Sequence, residues 1–412
     1  MNARAWEWMK AGLVVLGGMV LVLGYLWVGG VLLDRGQEVD DPDIAAYVPA
    51  RESSPGARAL LDMSSRVDRG RYSDGDPTYG LERDVGLLRL YANTIDRDEI
   101  DEEDEVLDRF EADDAFRRGW VAGLLASNQF VFAALDRAAA DTDFRFVDST
   151  WRGGLPVAGF LDAWKGPVLA QLHFDAESGD TAAMTAHFAR DLRVMGRLRE
   201  GGGIMPVIVS TECQAIAVCG MSELVDEYDF GAEDLARLDQ ILASAPSVQE
   251  AELHRARIRS YVCVREDLEL LLDGSRSLKV WRRKSGDFWP DWLLRLGVRY
   301  VLTPRNMLDW MARQIAADKA AGFDLEALER LEQARTKMME ARAWQWWRPG
   351  FFMYKVYPRT SKWVRRILEQ RESVQALRKK IADRIELKRR GGTPVLKKRV
   401  FGRPADEENQ SE

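Results

Sequence analysis

The stretch from Ala11 to Leu33, AGLVVLGGMVLVLGYLWVGGVLL, carries no charged residue and constrains the chain more than any other feature. As a helix it would extend about 34 Å, which is enough to cross a hydrocarbon core about 30 Å thick. A cleaved signal peptide has a shorter apolar region of about 7–15 residues, followed by small residues at the cleavage site. This stretch is longer, and it ends in Leu32 and Leu33, which are followed directly by Asp34 and not by small residues. The sequence therefore predicts an uncleaved signal-anchor, a transmembrane helix over residues 11–33.

The charges on either side of this stretch predict its orientation. Arg4 and Lys10 precede it, whereas the residues from Asp34 to Asp43 contain several acids and one base, Arg35. Lys and Arg are enriched on the cytoplasmic side of transmembrane helices. We therefore expect residues 1–10 to be cytoplasmic and the main domain to lie outside the cytoplasm, in a single-pass protein of the cell (inner) membrane.

The rest of the chain has enough apolar material for one large or two medium cores, with hydrophobic residues at 46%. No long run alternates β-branched and polar residues, so the predicted fold class is all-α. We expect a polar spacer over residues 34–80, a main helical domain over 81–275, an aromatic-rich helical part over 276–372, and a basic helix with a disordered tail over 373–412. The helices are expected to form hairpins in a solenoid-like or irregular bundle.

The clearest pair of helices is predicted at Val157–Ala176 and Thr181–Leu198. The connection Glu177-Ser178-Gly179-Asp180 supplies a glycine suited to the end of one helix and an aspartate suited to cap the next. The pattern LAQLHFDAESGDTAAMTAHFARDLRVMGRL resembles the helix–turn–helix of tetratricopeptide-type arrays over this one hairpin. Further on, Ser247 and Glu250 have the spacing of a capping box at the start of a helix that runs through Leu272.

A second apolar segment, Gly201–Met221, has two interpretations. It could be another transmembrane helix, or the central helix of a folded core. Pro206 and the polar run from Ser210 to Gln214 would be costly in hydrocarbon, so the sequence favours the core helix.

Glu212 is the ionisable residue of greatest interest, because it lies midway along this apolar segment. A buried carboxylate has a raised pKa and can act as an acid or base. Arg255, Arg257 or Arg259 could instead neutralise it from the next long helix. Signatures of hydrolases, kinases, nucleotide-binding loops and zinc proteases are missing from the sequence, so Glu212 is the one candidate catalytic residue.

The histidines predict neither a metal site nor a cofactor site. His173 and His187 lie on the two arms of the predicted hairpin, without a third ligand at matched spacing. His254 falls on the polar side of its helix, so we expect it at the surface.

Aromatic and basic residues alternate from Trp344 to Arg366, a composition that suits the interface of a membrane, where rings lie among headgroups and cations meet anionic lipid. The aromatic residues could instead pack against the helical body in the ordinary way. Rings and bases also suit single-stranded nucleic acid. A domain facing away from the cytoplasm would not meet nucleic acid, and none is expected as a partner. The membrane-interface candidates are Trp344, Trp346, Trp347, Arg348, Phe351, Phe352, Tyr354, Lys355, Trp363, Arg365 and Arg366.

A basic amphipathic helix is predicted from Ser373 to Arg390, followed by Gly391-Gly392-Thr393-Pro394. The segment ALRKKIADRIELKRRGGTP resembles the ending of many bacterial, single-pass, membrane-anchored all-α proteins that have no established activity. That resemblance implies architecture and location only.

These features together predict a scaffold or protein-interaction module of the cell envelope. Its expected partners are a lipid bilayer, contacted through residues 11–33, and a protein of unknown identity. Two alternatives remain open: an envelope enzyme with a site near Glu212, and a lipid-contacting helical domain.

Overall fold

The computed structural model describes residues 17, 18, 20, 21, 24, 42–47, 52–70, 88, 90–92, 104–145, 157–201, 203–245, 247–272, 304–341 and 359–397. Several sequence predictions lie outside these residues. They are the cytoplasmic segment 1–10, most of the transmembrane stretch 11–33, parts of the spacer, residues 276–303 and 342–358, and the tail from residue 398.

Every regular element within the described ranges is an α-helix, which confirms the predicted all-α class. The helices are α1 (Pro42–Ala46), α2 (Pro55–Gly70), α3 (Asp104–Ala112), α4 (Asp114–Ser127), α5 (Gln129–Ala140), α6 (Val157–Glu177), α7 (Thr181–Gly201), α8 (Ile204–Glu227), α9 (Ala232–Ser244), α10 (Glu250–Leu272), α11 (Pro304–Ala321), α12 (Leu325–Ala341) and α13 (Thr360–Arg389).

The chain divides into two compact units. The first comprises residues 1–48 and 260–362, and the second comprises residues 49–259 and 363–412. The helices α10 and α13 each contribute residues to both units. Helix α13 is continuous across position 372, where the sequence analysis places the start of a separate basic helix.

The second unit is built on successive helix pairs. Helix α2 packs against α5 and α6, while α7 packs against α5, α6, α8 and α9. Large side chains from several of these helices, such as Leu60, Trp164, Phe188 and Met195, are completely buried in one continuous core. Burying this apolar surface is the main stabilising contribution to such a fold.

The α6–α7 hairpin forms as the sequence predicts. Gly179 has φ +74°, a left-handed conformation that glycine adopts without steric cost. The amides of Gly179 and Asp180 donate back to the carbonyls of Ala176 and Asp175, and the Asp180 carboxylate accepts from the amide of Ala183. The turn thus ends one helix and caps the next.

Helix α8 extends through the apolar segment whose interpretation was open. Among the described residues it is the one helix long and apolar enough to span a membrane, and 67% of its most apolar window is buried inside the fold. It packs against α6 and α7. Such burial by protein is what the core interpretation predicts.

Two local predictions about α10 are wrong. The capping box does not use Ser247 and Glu250. One of the two bonds of such a box forms further along: the Gln249 amide donates to the carboxylate of Glu252, in the first turn of α10, at 2.8 Å. The Gln249 side chain donates to the Ser247 hydroxyl. His254, expected at the surface, is only 8% exposed. The pattern of polar residues on α10 indicated a narrower buried face than the helix has.

In the first unit, α11 and α12 form a second hairpin, with Gly322 at φ +56° between them. The buried carboxylate of Asp318 accepts from Arg335 at 2.6 Å and from the Thr360 hydroxyl at 2.7 Å. Glu332 accepts from the amide and the hydroxyl of Ser361. Two carboxylates of this hairpin therefore hold the first turn of α13.

Five residues of the predicted anchor are described, and all of them are helical and exposed: Gly17, Gly18, Val20, Leu21 and Gly24. Val20 is 61% exposed and Leu21 is 76% exposed. The protein itself therefore leaves these aliphatic side chains uncovered.

Candidate functional site

Glu212 lies at a recess between three helices of the second unit. Its walls come from the N-terminal half of α8, from α10 and from α13, and the recess contains about 240 Å³ of empty space, open solvent included. The lining residues are mostly apolar: Ile204, Val207, Ile208, Thr211, Glu212, Leu253, Trp363, Arg366 and Ile367.

The charged partner of Glu212 is Arg366. The Glu212 Oε1 atom lies 3.5 Å from Arg366 Nε, and Arg366 also lies 3.5 Å from the Glu369 carboxylate. The side chains of Glu212 and Arg366 are 35% and 54% exposed. An ion pair this open to water contributes little to stability, because water and salt screen it.

This pairing differs from the expected one. Of the three arginines proposed from α10, Arg259 donates to the carbonyl of Glu200 at 3.2 Å, and Arg257 is buried. The true partner lies more than 150 positions beyond Glu212 in the sequence, on a helix whose docking the local pattern does not specify. Glu212 is also half-buried, since it faces the recess and not the centre of the core.

The recess also brings the candidate catalytic residue Glu212 together with two of the membrane-interface candidates. Trp363 and Arg366, both membrane-interface candidates, line it beside Glu212. Arg365, the next candidate, is exposed. The remaining interface candidates lie outside the described residues: Trp344, Trp346, Trp347, Arg348, Phe351, Phe352, Tyr354 and Lys355.

The hairpin histidines have separate carboxylate neighbours. His187 Nδ1 lies 2.7 Å from Asp175 Oδ2, and Gln171 donates to the other oxygen of Asp175 at 2.7 Å. His173 is fully buried, 3.9 Å from Glu227. Among the described residues, no group of three His, Cys, Asp or Glu side chains could hold a metal ion.

Asp191 is a buried carboxylate that the sequence analysis missed. It is 0% exposed on α7, and its Oδ1 accepts from Arg190 Nε at 2.9 Å. Burial raises the pKa of Asp191 to about 6, although the Arg190 guanidinium acts in the opposite direction. Arg190 also reaches the exposed Asp136 at 3.4 Å. An Arg-Asp dipeptide in a helix gives no sign of such burial, because adjacent residues usually point to different faces.

Helix α13 turns part of its basic face towards acids of the same unit. Asp226, near the end of α8, lies within 4 Å of Lys380, Arg384 and Lys397. Arg378 pairs with Asp239, and Lys388 pairs with Asp229. Leu377 and Ile381 enter the core between these contacts. The basic helix is thus bound to its own protein on this side.

No protein-family model, curated protein or solved structure matches the chain.

Proposed function

We propose that the protein is a membrane-anchored helical interaction module of a bacterial cell envelope, held by a transmembrane helix over residues 11–33. The observation that carries this proposal is the uncharged stretch itself, whose described residues are helical with exposed aliphatic side chains. In water such exposure would be unfavourable, whereas in hydrocarbon it is favourable. The flanking charges support an N-terminus in the cytoplasm and a body outside it.

The recess at Glu212 supports an interaction surface more than an enzyme active site. Among the residues that the structure describes, its lining contains one carboxylate, already paired with Arg366, and no histidine, cysteine or second carboxylate. General acid–base catalysis needs a group whose pKa is tuned to the reaction and which can reach a bound substrate. An apolar recess with a charged pair at its edge instead resembles the apolar centre and polar rim of a protein interface.

Met205 marks the edge where a partner would make contact. Met205 follows Ile204, which lines the recess, directly in the sequence, and its side chain is 45% exposed. A partner side chain placed over Met205 would bury apolar surface at about 25 cal/mol per Å². We therefore assign the contact with the partner protein to Met205 and the side of the recess next to it.

Site-specific photo-crosslinking tests this assignment in cells that express the full chain. A photoreactive residue replaces Met205 in one protein and Ser178, which is exposed at the α6–α7 turn, in the control. We expect a crosslinked protein from position 205 and not from position 178. The crosslinked protein, once purified, should bind Met205→Asp at least about tenfold more weakly than the original chain. Equal binding to Met205→Asp, or no crosslink from position 205, would contradict the assignment.

A further inference from the structure

The C-terminal end of α13 is a sharp reversal of the chain. Gly391 has φ +75°, its amide donates to the Lys388 carbonyl at 2.9 Å, and the Gly392 amide donates to the Leu387 carbonyl at 3.0 Å. These two bonds form a Schellman motif. A side chain at position 392 would come within 2.5 Å of the Leu387 side chain, so the chain passes tightly against the helix end.

The residues after this reversal are fixed to the body of the second unit. Pro394 is buried, and the Lys397 amide donates to the Asp226 carbonyl at 3.0 Å. The Lys397 ammonium lies 3.4 Å from the Asp226 carboxylate. Hydrogen bonds therefore fix both ends of residues 391–397, which we term the terminal loop.

The terminal loop and the helix end beside it expose aliphatic side chains. Val395 is 92% exposed, Leu396 is 43% exposed and Leu387 is 39% exposed. Single exposed aliphatic residues are normal on protein surfaces and need no explanation. Here three such residues lie within ten positions of the sequence, at a helix end and a loop that backbone hydrogen bonds fix, and the described part of the protein leaves all three exposed.

Basic residues flank these aliphatic residues in the sequence. From Arg384 to Lys397 the sequence contains five bases and one acid, Glu386. Arg389, Arg390 and Lys397 are exposed, with Arg390 bound to Glu386 and Lys388 bound to Asp229. Arg384 and Lys397 in turn lie beside Asp226. The five bases thus meet three acids, and the local charge that remains is positive and complements an anionic surface.

We infer that the terminal loop is a second membrane contact, which places Leu387, Val395 and Leu396 in the interface of a bilayer containing anionic lipid. Aliphatic side chains enter the boundary between headgroups and acyl chains, and nearby bases interact favourably with lipid phosphates. The inference rests on the proposed function, because the anchor is what keeps a bilayer within reach. It concerns residues beyond the segment 344–366 from which the sequence predicted interface contact.

A fluorescent reporter on the full chain tests this contact. Val395→Cys is labelled with an environment-sensitive dye in a protein that also carries Cys219→Ser, because Cys219 is the exposed cysteine while Cys213 and Cys263 are buried. Ser178→Cys in the same background is the matched control. The proteins are reconstituted into vesicles of phosphatidylcholine alone or with about one third phosphatidylglycerol, and flotation of the vesicles is measured in parallel.

We expect the dye at position 395 to shift to the blue, and to be quenched by spin-labelled lipid, in the anionic vesicles. The dye at position 178 should remain accessible to a water-soluble quencher. Salt at about 0.5 M should weaken the signal at position 395, since screening shortens the reach of the bases. A dye at position 395 that stays accessible to the water-soluble quencher in anionic vesicles would overturn the inference.

Flotation separates this inference from the proposed anchor. Protein that floats with neutral vesicles, while the dye at position 395 stays in water in anionic ones, keeps the anchor and overturns the loop contact. Protein that floats only with anionic vesicles, with the dye inserted, keeps the loop contact and overturns the anchor. Protein that floats with neither kind of vesicle overturns both.

Discussion

The ammonium of Lys380 lies 3.0 Å from the carboxylate of Asp226, joining the middle of α13 to the C-terminal turn of α8. The same ammonium donates to the Ser222 hydroxyl at 2.6 Å. Arg384, one helical turn further along α13, donates to the carbonyls of Asp226 and Tyr228. Cations at a helix C-terminus interact favourably with its unpaired carbonyls. Part of the basic character of α13 therefore stabilises the fold.

Asp226→Asn should lower the free energy of unfolding, because three bases would lose their shared carboxylate. The Asp226 side chain is 18% exposed, so we expect a loss of about 1–3 kcal/mol. Chemical denaturation of the full chain in detergent, followed by circular dichroism, measures it. Asp239→Asn is the matched control, since its pair with Arg378 is exposed and should contribute less than about 1 kcal/mol. Equal losses in the two variants would contradict this account of Asp226.

Asp191 predicts a pH dependence of stability. Its pKa is about 6 in the folded protein, against 3.8 for a solvated aspartate side chain, so the folded state binds a proton more tightly than the unfolded state. The contribution of Asp191 to the free energy of unfolding should therefore fall as the pH rises from about 4 to 6, by about 2–3 kcal/mol in total. Asp191→Asn should remove that slope, and Asp136→Asn should leave most of it. Melting temperatures measured between pH 4 and 7 check this, and identical slopes for the original chain and Asp191→Asn would contradict it.

Gly56 should not tolerate a larger residue. A Cβ atom there would lie 2.8 Å from the Asp141 side chain and 2.9 Å from the Ala138 backbone, which cannot move easily. Gly56→Ala should therefore destabilise the protein by about 1–3 kcal/mol. Gly119 lies in the middle of α4 on its exposed face, and a Cβ atom there would have no neighbouring atom within 4 Å. Gly119→Ala should therefore stabilise the protein by up to about 1 kcal/mol. Opposite shifts in melting temperature are the expected result, and shifts of the same sign would contradict it.

Glu212→Gln should have almost no effect on stability. The pair with Arg366 is half exposed, so removing its charge should change the free energy of unfolding by less than about 1 kcal/mol. The same denaturation measurement checks this value. A loss of several kcal/mol would show that Glu212 has a buried partner or a larger role than the recess indicates.

Local signals predicted the helices well. The α6–α7 turn follows from Gly179 and Asp180, because caps and left-handed glycines act within a few residues. The turn between α11 and α12 has the same two features, a left-handed Gly322 and an Asp324 carboxylate that accepts from the Ala327 amide. The buried α8 follows from the cost of placing its polar cluster in hydrocarbon. These are properties that a short segment carries by itself.

Long-range partners could not be predicted in the same way. Glu212 meets Arg366 and Asp226 meets Lys380 because of how α13 docks, and docking depends on the whole apolar surface that α13 shares with the core. Asp191 and His254 are buried for a similar reason, since neighbouring helices cover a wider face than the polar pattern indicates. The C-terminal reversal was visible as Gly391-Gly392, yet its exposed aliphatic residues were not distinguishable from an ordinary tail.

The central claim is that residues 11–33, and not α8, hold the protein in a membrane. Substituting Val20→Arg and Leu21→Arg together places two charges in the stretch, at about 2.5–3.5 kcal/mol each near a membrane centre. Alkaline carbonate extraction of membranes from cells that express each full chain is the direct measurement. We expect the original chain to stay in the membrane pellet and the double variant to be released into the soluble fraction. Equal retention of the two chains in the pellet would contradict it.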